Sequence, residues 1–302
     1  MSRLEQTNTN SINSQDTSND SNTETIEIIY EKVVLNKPSV YDNTERILAI
    51  DFDSVLYTST YFPEESLLQF PTEDLQIEEA KFRVRNKLQE ITNNVEEWFN
   101  IKQTLVFIGG KNNFRYFLYP DYKKNRANTI KSPLLPIIKQ YIIDEISNCV
   151  ITENCESDDY CYEIKKMTNN NCVISSLDKD VHFWCSEVPL YDFRSYNSKE
   201  ISNTTIVGQF KYMSEKDSRL AISTQILTGD TTDNVKGAVK IGKAYCEKNL
   251  HRDMTQYQFI KAILKGYLKA NNNDMQLAKK DMKLNYYLLK LWTKDELKSL
   301  NL

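Results

Sequence analysis

The sequence predicts an α/β protein: a doubly wound, mostly parallel sheet flanked by helices, followed by an all-helical C-terminal region. Three observations predict it. Short apolar runs rich in Val and Ile, at 46–51, 104–108, 149–152 and 172–176, alternate with segments of helical spacing, as strands covered on both faces of a parallel sheet do. From about residue 220 helical spacing takes over. Carboxylates stand at or just after the ends of the apolar runs, where open α/β sheets keep their ligand sites.

At 302 residues and 40% hydrophobic content, the chain can bury a substantial core in one large domain or two modest ones. No stretch approaches the roughly 20 apolar residues of a membrane span. The polar N-terminus lacks the apolar core of a signal peptide, so the expectation is a soluble protein of the cytoplasm, the host cell's if the protein is viral. Six cysteines show no CxxC pairing and read as reduced, buried thiols rather than a zinc site or disulfide frame. A net charge of −4 argues weakly against nucleic-acid binding by bulk charge. Metal bound to the acidic clusters would leave a more basic remainder, so distribution matters more than the sum.

Residues 1–24 are almost wholly Ser, Thr, Asn, Gln, Asp and Glu; such a tail buries too little apolar area to offset its ordering entropy, so disorder is expected. Residues 26–35 suit a strand or docking segment. The run 46–51 is a strand ending on Asp51, and Ile77, Ala80, Val84, Leu88, Ile91, Val95, Trp98 and Phe99 mark a helix over 77–100. A second strand at 104–108 ends at Gly109-Gly110, and 136–146 reads as a helix. The strand at 149–152 leads into Glu156-Ser-Asp-Asp159, which opens a helix. The strand at 172–176 leads to Asp178 and Asp180. Beyond 220, Asp230 and Asp233 lie three apart. Gly237–Gly242 then punctuates a turn between helices, able to offer amide N–H groups to a phosphate or to serve as an ordinary connection. Residues 256–300 supply further amphipathic helix.

Packing carboxylates this densely carries a like-charge penalty unless a cation sits among them. Mg²⁺ and Mn²⁺ take oxygen ligands, so clustered Asp and Glu are their usual cage; a solvated helix start is the plain alternative for 156–159. Lys111, Arg115, Lys123, Lys124, Arg126 and Lys131 interleave with Phe114, Tyr116, Phe117, Tyr119 and Tyr122. Cations neutralise phosphates and rings stack on unpaired bases, which suits a channel for single-stranded nucleic acid; a solvated helix with an aromatic core face is the competing reading. Nothing places His182 or His251 with the carboxylates, and both read as structural.

These motifs resemble those of the 5′-nucleases, the flap endonucleases and 5′→3′ exonucleases, with the compact bacteriophage members the nearest likeness. IDFD at 50–53 is similar to the family's first strand, FRYFLYPDYKKNR at 114–126 to the segment entering its helical arch, and CESDDY at 155–160 to its Glu-Ala-Asp-Asp motif. SSLDKD at 175–180 and LTGDTTDNVKGAVKIGKA at 227–244 are similar to its Ser-x-Asp-x-Asp motif and its helix–three-turn–helix clamp. The likeness spans about 46–250.

The resemblance implies a PIN-like (resolvase-like) catalytic domain over 25–218, with the arch at about 111–135, and a helix–three-turn–helix region over 219–302. It implies a first metal ion on Asp51, Glu156 and Asp158, and a second among Asp159, Asp178, Asp180, Asp230 and Asp233. Lys123 and Arg126 would act on the scissile phosphate. Arg115, Tyr122, Lys124, Gly237, Lys240, Gly242 and Lys243 would contact DNA. Two Mg²⁺ ions (or Mn²⁺), K⁺ at the clamp turn, a monomeric state, and flap, junction or RNA–DNA primer substrates complete the expectation.

The second strand departs from the family pattern by ending in Gly109-Gly110 rather than a metal-binding Asp. Asp53 can compensate, since residues i and i+2 of an extended segment point to the same side; that it merely faces solvent is the competing reading. The clamp turn also carries Val239 and Lys240 where the family often has Pro and Gly. A branched-DNA-binding relative with weakened catalysis, and an RNA-cleaving nuclease on the same fold, remain as alternatives.

Overall fold

The computed structural model describes residues 33–34, 42–197 and 205–300. The expected tail at 1–24, and residues 26–35 apart from Val33–Val34, lie outside them. In chain order the elements are β1 (Val33–Val34), β2 (Asp42–Asp51), α1 (Asp53–Ser59), α2 (Glu73–Glu96), β3 (Phe99–Lys111), α3 (Phe114–Leu118), α4 (Leu135–Glu145) and β4 (Cys149–Glu153). Then follow α5 (Ser157–Met167), β5 (Cys172–Ser175), α6 (Lys179–Trp184), β6 (Leu190–Asn197), β7 (Thr205–Tyr212) and α7 (Glu215–Thr228). The last four are α8 (Lys243–Asn249), α9 (Gln256–Ala270), α10 (Met275–Leu289) and α11 (Lys294–Ser299).

Seven strands form one sheet in the order β1-β7-β6-β5-β2-β3-β4. The five from β6 to β4 run parallel, and β7 and β1 add antiparallel pairs at the far edge. The chain moves outward from β2 through β3 to β4, then crosses back to set β5 on the other side of β2. That reversal opens a crevice at the carboxyl ends of β2 and β5.

The apolar runs earn these positions by burial. Leu48, Ile50, Val106 and Ile108 face one layer, where the stripe of α2 (Ala80, Val84, Ile91, Val95) meets Ile138 and Ile142 of α4. Ala49, Phe107, Cys172 and Ile174 face the other, under Cys161 and Ile164 of α5. Thr72 caps α2 by accepting from the Leu75 amide, and Glu73 and Asp74 suit the positive end of its dipole.

The structure revises two expectations. The segment 111–135 carries only the five-residue α3 and one 3₁₀ turn, Lys124–Arg126, rather than a helical arch. The boundary at 218/219 falls inside α7, and Leu291, Trp292 and Leu297 return to pack under the sheet with α5 and α6. The C-terminal helices are therefore stitched to the sheet layer. The strands β6 and β7 are additions: their alternating sequence places Tyr191, Phe193 and Phe210 in the core beside Trp98 and Phe99.

Candidate active site

Asp51 ends β2 and is only 7% exposed. Its Oδ1 accepts from the Ser157 hydroxyl at 2.7 Å and its Oδ2 from Ser176 at 2.9 Å. Asp53 opens α1 two residues on. Its Oδ1 accepts from the Gly109 amide at 2.8 Å, and its Oδ2 lies 3.0 Å from the same Ser157 hydroxyl. A hydroxyl carries one hydrogen, so Ser157 donates to one carboxylate and can accept from the other only if that one is protonated. Burial first, then the Asp53 charge, pushes Asp51 up to about 7. Burial also raises Asp53.

The helix α5 supplies the next group. Glu156 is its N-cap and shares a capping box with Asp159. Its carboxylate meets the Lys123 ammonium and accepts from the Tyr122 hydroxyl at 2.8 Å. Burial works against its charge, but Lys123 and Arg115 hold it below the usual range. Asp158, in the same first turn, is raised well above it by burial and by the Asp159 and Glu156 charges. Asp178 caps α6 and accepts from the Asp180 amide at 2.7 Å. Asp51, Asp53, Glu156, Asp158 and Asp178 thus line one cleft of about 850 Å³, together with Lys123, Lys124, Arg126 and Lys139.

The remaining expected ligands border the cleft without lining it, each held by partners of its own. Asp159 is wholly buried and takes Arg115 in a bidentate pair at 2.6 and 2.9 Å, with the Glu156 and Trp292 amides as further donors. Its lone pairs are spent, so it is a structural anchor and not an open metal ligand. Arg115 is likewise 1% exposed and donates to the Leu288 and Lys290 carbonyls; it cannot reach DNA. Tyr122, 2% exposed, bridges Glu156 and Asp233 and offers no face for stacking. Asp180 and Asp230 are joined through the Gln225 amide. Lys179, overcoming the burial of Asp230, keeps that group lowered, whereas burial and the Asp178 charge raise Asp180. Asp233 pairs with Arg126 at 2.6 Å, away from Asp180.

Segment 121–126 is fastened across this region. The Lys123 amide donates to the Asp233 carbonyl at 2.9 Å, Asn125 to the Thr231 carbonyl, and Asn234 to the Asp121 carbonyl. Part of the expected basic-aromatic channel is core: Phe114 is buried with Arg115 and Tyr122, while Phe117 stays 76% exposed. In the turn after α7, Gly237 is buried at φ +65, its amide donating to Asn285 at 3.1 Å. A side chain there would meet the backbone of Thr228 at 2.4 Å, so this glycine shapes the turn and cannot itself grip a phosphate. Lys240, Gly242 and Lys243 are on the exposed side.

Hard oxygen donors pressed together, Asp51, Asp53 and Asp158 among them raised by burial and by neighbouring charges, are the chemistry a small divalent ion satisfies. The donor set fits such an ion. Among the described residues no three acidic, His or Cys side chains already stand at ligand spacing; Ser157, Ser176, Tyr122 and Lys123 hold the carboxylates in their present positions. Sequence reasoning missed these two serines, Gln225 and the Arg115–Asp159 pair. Small hydroxyls beside acids carry no distinctive pattern. His182 contacts the Ser176 carbonyl at 3.1 Å, and burial lowers its pKa. The described cysteines are all free, five of them buried. No described helix is long and apolar enough to cross a membrane.

No family model matches the sequence. Over 198 residues the chain is 28% identical to a 5′-3′ exonuclease of Aquifex aeolicus (strain VF5), covering 63% of this chain and 64% of that protein. The match thus spans less than two thirds of the relative's length. The fold matches the T5 D15 protein co-crystallized with metal ions at a TM-score of 0.50 and 15% identity, over 80% of this chain and 90% of that one. The bacteriophage T5 D15 flap endonuclease, in a pseudo-enzyme-product complex with DNA and metal ions, gives 0.47 and 13%, over 81% and 99%. In motif order, sequence and fold the chain resembles the 5′-nuclease and flap endonuclease family.

Proposed function

We propose, on the premise that a chain sharing motif order, sequence similarity and fold with the 5′-nucleases shares their chemistry, that this protein is a metal-dependent 5′→3′ exonuclease and flap endonuclease acting on DNA. The observation that carries the reading is the convergence of Asp51, Asp158 and Asp178, from three separate elements, on one cleft that Lys123, Lys124, Arg126 and Lys139 also line. Bound divalent ions (Mg²⁺, with Mn²⁺ as substitute) supply a nucleophilic water at neutral pH and charge neutralisation on the leaving oxygen.

The chain's own residues do the rest. Asp51, Asp158 and Asp178 hold the ions, and Ser157 and Ser176 orient Asp51. Lys123 and Arg126, now paired with Glu156 and Asp233, turn to the scissile phosphate when a nucleic-acid strand brings its own negative charge. Lys240, on the exposed turn between α7 and α8, and Lys243, which opens α8, grip duplex phosphates without reading bases. A role at 5′ flaps, junctions or RNA–DNA primers in replication or repair follows from such a preference.

Cleavage of a 5′-labelled flap duplex in Mg²⁺, in Mn²⁺ and in EDTA, beside Asp178→Ala, tests this. Metal-dependent release of short 5′ products that disappears in the variant is expected. The ion pairs now occupying Lys123 and Arg126 favour a second reading, a branched-DNA binder. Tight flap binding without cleavage in either metal would select it.

A further inference from the structure

The strand β3 lies beside β2 and ends at the same sheet edge, yet Gly109 gives it no side chain at the cleft. We infer that Asp53 supplies from α1 the carboxylate that β3 lacks, and that Gly109 is glycine in order to receive it. The inference rests on the metal-nuclease reading above.

The geometry is reciprocal. A Cβ built on Gly109 would stand 2.7 Å from Asp53 Oδ2, closer than carbon approaches such an oxygen. The Asp53 carboxylate therefore fills the volume a side chain at 109 would project into. The glycine's half-buried amide donates to Asp53 Oδ1 at 2.8 Å, and Oδ2 lies 3.0 Å from the Ser157 hydroxyl that also meets Asp51. Position 110 offers no alternative, because a Cβ there would meet the Thr152 carbonyl oxygen at 1.7 Å. The route differs from an extended i, i+2 pair: Phe52 is helical in backbone, and Asp53 reaches the cleft from the first position of α1. The carboxylate is thus pinned from β3 and from α5, beside Asp51, as a metal ligand must be if it is to be held without moving.

The test is Mn²⁺ binding, read by titration calorimetry with the metal alone, beside near-UV circular dichroism to confirm the fold. Asp53→Asn keeps the shape and removes the charge; Mn²⁺ affinity is expected to fall roughly 10-fold or more. Gly109→Ala removes no carboxylate, yet its methyl displaces Asp53, so it too is expected to weaken Mn²⁺. In an Asp53→Gly background the same Gly109→Ala change should cost nothing. The exchange Asp53→Gly with Gly109→Asp should recover most of the affinity lost by Asp53→Gly alone.

Wild-type Mn²⁺ affinity in Asp53→Asn, or an exchange variant no better than Asp53→Gly, would overturn the inference. Asp51→Asn distinguishes the levels. If it abolishes Mn²⁺ binding while Asp53→Asn does not, only the Asp53 assignment falls. If neither affects Mn²⁺, the metal cleft itself is wrong.

Discussion

At the scale of single residues, charge is treated in two opposite ways within a few ångströms. Asp159 has a full complement of donors, and breaking its pair by Arg115→Ala leaves a buried carboxylate uncompensated. The expected loss is about 3–5 kcal/mol of stability, measured by urea unfolding; a DNA contact at Arg115 would instead change the salt dependence of binding and leave unfolding alone. Asp51 has hydroxyl donors and a like charge nearby, and its pKa of about 7 lies above the roughly 3.9 of an unfolded chain. The native state then holds a proton that the unfolded state releases. Stability of the metal-free protein should fall as pH rises from about 4 to about 7, by ~1.4 kcal/mol per unit for this one group. Melting in EDTA across that window checks it, and added Mg²⁺ should flatten the profile. Glu156 and Asp230, both lowered, act below this window, where acid removes their contribution.

At the scale of elements, the strands and the acid-bearing helix starts were legible because burial and capping leave patterns of spacing. Residues 47–50 and 172–174 are apolar without a break, as strands covered on both sides must be, and Glu156 and Asp178 sit where helix N-caps favour acceptors. The pair β6–β7 went unread because its alternation is short and interrupted by Arg194 and Lys211, both tied to Asp192. The basic-aromatic run over 111–131 misled for a related reason. Composition says nothing about which side faces in, and Arg115 and Tyr122 face in. The partners of Asp53 were invisible for want of any marker on a glycine amide 56 residues away. Lys240 of the surface turn after α7 and Lys243 at the start of α8 should act through charge alone. Lys240→Glu with Lys243→Glu is expected to weaken duplex binding across sequences and reduce the salt slope by roughly 2, with Mn²⁺ affinity unchanged; calorimetry and salt titrations read both.

At the scale of the whole molecule, the sheet layer and the C-terminal helices form one body. Trp292 packs against Phe114 and Tyr286, its amide binds Asp159, and the carbonyls of Leu288 and Lys290 complete the donor needs of Arg115. A piece ending at residue 218, inside α7, should therefore fail to melt cooperatively; a sharp thermal transition in that piece would show the sheet layer to be self-sufficient. Trp292→Ala, with residues 219–300 in place, is expected to cost about 3–5 kcal/mol, read by the same unfolding measurement.

The stitching also has a consequence for the order in which the protein is made. A ribosome emits residues 115 and 159 long before residues 288–292, so the guanidinium and carboxylate meet while two carbonyls and one amide of their final shell do not yet exist. Until those arrive, the pair stays wetted at an unfinished edge, and the core beneath α5 stays open where Leu291, Trp292 and Leu297 will close it. The nascent chain cannot settle its N-terminal half first and append the rest, as separable domains do. It waits, and its cleft and its final rigidity are completed together, once residues 288–297 have emerged.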